Sequence, residues 1–75
     1  MKGVFLMKNF IFEWFENRKF GEPTVRKNAV HAKNAQEATA AFIRTFGNLK
    51  KVTINFIQEV DNKGNNIGEP IVPEN

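Results

Sequence analysis

Five of the six positions in Phe10-Ile11-Phe12-Glu13-Trp14-Phe15 are apolar. Side chains alternate across a strand. Phe10, Phe12 and Trp14 therefore point one way, while Ile11 and Phe15 flank Glu13 on the other. The pattern predicts a strand over residues 4–15 that is apolar on both faces. Glu16 to Pro23 then supplies turn residues, long enough for a hairpin with a loose tip. Thr24 to Ala32 reads as a second, more polar strand. Val30 and Ala32 share one face of it, and Val25 falls on the other unless a bulge near Asn28 shifts the register.

Periodicity then changes from two to about 3.6. Asn34 is a good N-cap, Glu37 follows three residues on, and Ala35 to Phe46 are mostly strong helix formers. Gly47 is a natural stop. The inward stripe is Ala35, Ala38, Ala41 or Thr39, Phe42 and Phe46.

Val52-Thr53-Ile54-Asn55-Phe56 alternates cleanly and predicts a third strand continuing to Val60. Asp61-Asn62-Lys63-Gly64-Asn65 is hairpin-turn chemistry with Gly64 placed for a positive φ. Ile67 to Val72 is expected to return as a fourth strand, interrupted by Pro70. An internal echo supports this layout: turn residues followed by Gly-Glu-Pro and a β-branched pair occur at 21–25 and again at 68–72. Proline cannot donate to a ladder, so both following strands belong at edges. The expected fold is α+β, a ββαββ chain with a four-stranded antiparallel sheet of order 2-1-3-4. A right-handed crossover carries the single helix over one face.

That layout leaves a face without a cover. Strand 1 is apolar on both sides, and one helix can cover one side. The expected second-face patch is Ile11, Glu13, Phe15 and Ile57, with Phe5 beside it and Phe20 at its rim. It predicts a small non-enzymatic protein that binds or assembles through this face, with a homodimer or another protein as partner. Glu13 then reads either as a solubilising charge or as a specificity charge meeting a partner's Arg or Lys.

Composition sharpens this picture. Seventy-five residues form one domain, near the lower limit for an independent core, and eight Phe and one Trp must supply much of the buried area. Residues 1–8 are expected to be an extension or strand overhang, with Met7 a second possible start, and 73–75 a frayed end. The absence of cysteine excludes disulfides and thiolate metal sites and suits a cytoplasmic protein. The apolar run Val4–Met7 is too short for a signal peptide or a membrane span.

Catalytic chemistry lacks parts. His31 is the sole histidine, which leaves no His cluster for a metal. Residues 59–70 carry a glycine at the sixth position of a calcium loop, but Glu59 opens it, Lys63 stands where an acid belongs, and Pro70 closes it. Thr24, Thr39, Thr45 and Thr53 have no adjacent base, and the acids Glu13, Glu16 and Glu22 form no evident pair. No metal and no cofactor is expected.

The net charge is +3, unevenly spread: residues 1–58 hold ten Lys and Arg against four acids. Arg18, Lys19, Arg26, Lys27, Lys33, Lys50 and Lys51 lie on the hairpin arms and around the helix, near Phe15 and Phe20. Basic residues with exposed aromatics can grip phosphates and stack bases, so nucleic-acid binding is the alternative reading. The Gly-Phe-rich signature of RNA-recognition strands is missing from both aromatic strands.

The run Val30-His31-Ala32-Lys33-Asn34-Ala35-Gln36-Glu37-Ala38, a strand ending in Val-x-Ala before a capped Ala-rich helix, resembles a family pattern. It is similar to small β-β-α-β proteins of phages, prophages and mobile elements of low-GC Gram-positive bacteria. The likeness spans about residues 9–60 and carries no catalytic motif. It implies an accessory or inhibitor protein acting on host or phage macromolecules.

Overall fold

A computed structural model describes residues 7–46 and 51–73. Strands β1 (Lys8–Glu16) and β2 (Arg26–Ala32) form a hairpin, helix α1 (Ala35–Phe46) follows, and β3 (Val52–Val60) completes the sheet. The order is β2-β1-β3, with both neighbours antiparallel to the central β1. The expected α+β class and the order 2-1-3 are observed.

The helix forms where its cap dictates. Asn34 Oδ1 accepts a hydrogen bond from Glu37 N at 2.9 Å, satisfying one of the orphan donors of the first turn. Ala38 and Phe42 are its buried residues, and the small side chain at Ala38 lets the backbone approach the sheet. Phe42 stacks on Phe12 at 4.7 Å between centroids and meets Trp14 edge-on at 5.4 Å. Phe46 packs 5.1 Å from Trp14, extending the aromatic cluster along the helix. Phe10, Ala32, Val52, Ile54 and Ile57 complete the core.

Three expectations are corrected. First, β2 begins at Arg26 in place of Thr24, and it pairs with β1 in unbroken register from Lys8–Ala32 to Trp14–Arg26, without a bulge at Asn28. Asn28 instead takes an inward position and accepts the Trp14 indole N–H at 2.7 Å, a polar partner that a buried indole needs. Val25 precedes the strand and is exposed.

Second, the bulge lies in β3. Glu13 pairs with Phe56 while Trp14 pairs with Ile54, leaving Asn55 as the extra residue. Because strand side chains alternate, one inserted residue moves everything beyond it to the opposite face. Ile57 thereby faces the helix and is buried in the core, opposite Phe12, and does not belong to the second-face patch.

Third, Ile67–Val72 makes two isolated bridges, Val60–Asn66 and Ile57–Ile71, in place of a fourth strand. Two features interrupt the pairing. Gly68 has a φ of 70°, outside strand geometry, and Pro70 has no N–H to donate. The segment still runs along the β3 edge, with mutual Ile57–Ile71 backbone bonds of 2.8 Å and an Ile67 N to Glu59 O bond of 2.8 Å. The two Gly-Glu-Pro segments share a positive φ at glycine, 79° at Gly21 and 70° at Gly68. Expectations for Phe5, Gly47 and Lys50 fall outside the described residues.

Candidate protein-binding face

The face opposite the helix is built by alternation from all three strands. β1 contributes Asn9, Ile11, Glu13 and Phe15, and β2 contributes Lys27, Ala29 and His31. β3 contributes Thr53 before the bulge and Phe56, Gln58 and Val60 after it. Ile11, Phe15, Phe56 and Val60 are each half-buried. Phe56 takes the place expected for Ile57. The bulge that sends Ile57 to the core exports this ring and Val60.

Glu13 sits between Ile11 and Phe15, and its Oε2 accepts a hydrogen bond of 3.0 Å from Asn55 Nδ2. The bulge residue thus supplies the partner for the acid at the centre of the apolar face. Lys27 is the cross-strand neighbour of Glu13. The ion pairs among the described residues lie on the other face: Lys8–Glu59 and Arg26–Glu16, each at 3.8 Å.

Gln58 is 6% exposed and faces a wall made by the returning segment. Its Nε2 donates to the carbonyls of Glu59, Ile67 and Gly68 at 2.9, 3.3 and 3.3 Å. A buried amide left without these acceptors would be costly, so Gln58 pins residues 67–68 beside the sheet. Between this wall and the strands lies a groove of about 460 Å3. Ile11, Phe56 and Val60 form its apolar surface, Lys27 one side, and Asn66 and Pro70 the wall.

The turn holding that wall is ordered by Asp61. Its Oδ1 accepts backbone N–H bonds from Lys63 at 2.8 Å and Asn65 at 2.9 Å, and its backbone pairs with Gly64 N and Asn65 O. Gly64 adopts a φ of 88°, as this turn demands. The Asn65 N–H above all, with that of Lys63, holds the Asp61 carboxyl below its ordinary value.

The remaining expected residues lie in the β1–β2 loop and around its root. Phe20 is 86% exposed in the loop 17–25, and Arg18 and Lys19 are exposed in the same loop. Arg26 and Lys27, adjacent in sequence, point to opposite faces: Arg26 lies 5.7 Å over the Trp14 ring, and Lys27 lines the groove. Lys51 meets the root of the loop, where its carbonyl accepts from Asn17 N at 2.9 Å.

Phe56, Gln58 and Val60 were not legible as site residues, because their placement follows from one inserted residue inside a clean alternation. Among the described residues, no group of three or more His, Cys, Asp or Glu is arranged to hold a metal. Nor is any helix long and apolar enough to cross a membrane. No family model, curated protein or solved structure matches the chain.

Proposed function

We propose that this chain is a non-enzymatic protein-binding module that acts as a homodimer, two copies stacking through the face opposite the helix. The observation that carries this reading is the half-buried quartet Ile11, Phe15, Phe56 and Val60, of which Ile11, Phe56 and Val60 line a groove that the returning segment walls but does not roof. Burying such rings removes apolar surface from water at roughly 25 cal/mol per Å2.

Charge favours a second copy over an acidic or basic partner. The face carries Glu13 beside Lys27, and neither enters an ion pair among the described residues. A two-fold axis sets Glu13 of one copy near Lys27 of the other, so the face complements itself. The resemblance to phage and mobile-element proteins is compatible with a cytoplasmic accessory role for such a dimer.

The size of the face bounds its affinity. Three strands of up to nine residues give a footprint of roughly 400 Å2 per copy. That is small for a specific interface, so the dimer should be a weak one, with a dissociation constant on the order of 10 to 100 μM. Sedimentation equilibrium from 5 to 500 μM should show mass rising from one chain toward two. Phe56→Glu should stay folded and monomeric throughout. A wild-type chain that remains monomeric at 500 μM overturns the reading.

A further inference from the structure

We infer that the end of the sheet at the β1–β2 loop binds single-stranded nucleic acid, with Phe20 stacking on a base and Arg18, Lys19 and Lys51 holding phosphates. This surface is separate from the dimer face and rests on different observations.

The fold gathers there what the sequence scatters. Arg18 and Lys19 lie in the loop, Arg26 and Lys27 begin β2, and the Asn17 N to Lys51 O bond of 2.9 Å docks the start of β3 at the loop's root. Asn17 is further tied to β3 by the Thr53 hydroxyl, which donates to Asn17 Oδ1 at 2.8 Å. Setting aside Lys27, which faces Glu13 on the dimer face, four cations, Arg18, Lys19, Arg26 and Lys51, share this end with two acids, Glu16 and Glu22. Glu16 is already engaged by Arg26 at 3.8 Å. Arg18, Lys19 and Lys51 enter no ion pair among the described residues.

Phe20 gives this cationic end its selectivity. At 86% exposed it is the most exposed large apolar side chain among the described residues. A ring left in water beside cations has the composition of a base-stacking platform, which tolerates any sequence because every base has a π-face. Below the loop lies a groove of about 340 Å3 walled by Trp14, Phe46 and Val52, with Arg26, Lys51 and the Arg26-paired Glu16 at its sides. Bases in a duplex are already stacked on each other, so single strands should be preferred.

Fluorescence anisotropy with a fluorescein-labelled 20-nucleotide oligo(dT) tests this. Three or four phosphate contacts at a slope of about −0.7 each weaken binding roughly 20- to 50-fold between 50 and 200 mM salt. Phe20→Ala, at an exposed loop position that leaves the core intact, should weaken binding about 5-fold or more with the salt slope unchanged. Arg18→Ala with Lys19→Ala should make the slope shallower by about 1.4. The matching duplex should bind less tightly than the single strand. No binding at 100 μM protein and 50 mM salt overturns the inference, as does full affinity in Phe20→Ala or a preference for the duplex.

Discussion

The two faces of the sheet are made by the same strands yet differ in how they are closed. On the helix side Phe10, Phe12, Trp14, Ile54 and Ile57 are at most 3% exposed, sealed by Ala38 and Phe42. On the far side Ile11, Phe15, Phe56 and Val60 are half-buried, with the returning segment walling the groove that Ile11, Phe56 and Val60 line. Both faces are rich in large apolar side chains, so composition does not separate them. What separates them is the supply of covering elements: the fold has one helix, and it can seal one side. The Asn55 bulge then decides which β3 side chains fall on which side.

The largest test of this contrast is truncation on each face. Phe42→Ala removes the ring stacked on Phe12 and should cost about 3–5 kcal/mol, close to the whole stability of so small a domain. Ile11→Ala on the open face should cost under about 1.5 kcal/mol at concentrations where the chain is monomeric. Urea denaturation of both variants decides it, and equal losses would erase the distinction between the faces.

A second test targets the bulge. Deleting Asn55 leaves Trp14 opposite Ile54 and Glu13 opposite Phe56 in an unbroken ladder. The core set is preserved, so the variant should fold with a loss of about 1 kcal/mol from the forfeited Glu13–Asn55 bond. If β3 instead alternated without interruption, the same deletion would throw Phe56 out of the core. An unfolded product would then be seen by circular dichroism.

A smaller effect concerns the turn that carries the groove wall. Asp61 has its carboxyl value lowered in the fold by the Asn65 and Lys63 backbone donors. A carboxyl that is more acidic folded than unfolded stabilises the fold where it is ionised. Its contribution is therefore present above about pH 5 and fades as pH falls through and below 4. Asp61→Asn keeps an acceptor oxygen but cannot titrate. The urea midpoint of the wild type should fall more steeply between pH 6 and pH 3 than that of the variant, and parallel curves would remove Asp61 as the cause.

Legibility followed the range of the forces involved. Helix α1 and its Asn34 cap, the Gly64 turn and the strands of the β1–β2 hairpin depend on neighbours within a few residues, and all could be read from sequence. The order β2-β1-β3 followed from connection rules and the two-sided apolarity of β1. Ile11, Glu13 and Phe15 were placed by alternation alone. The exchange of Ile57 for Phe56 depends on how β3 meets β1, and nothing near Asn55 in the chain announces an inserted residue. The returning segment was read too regularly, since Gly68 and Pro70 turn a strand-like composition into two bridges. Gln58 gave no signal, because its value lies in carbonyls nine and ten residues away.

The central claim is that a second copy supplies the cover the helix cannot. Isotope-filtered nuclear Overhauser spectroscopy on a 1 mM mixture of labelled and unlabelled chains tests it most directly. The account predicts intermolecular cross-peaks linking the Phe15 and Phe56 rings to the Ile11 and Val60 methyls of the other copy. A spectrum with no intermolecular peaks at these residues would contradict it.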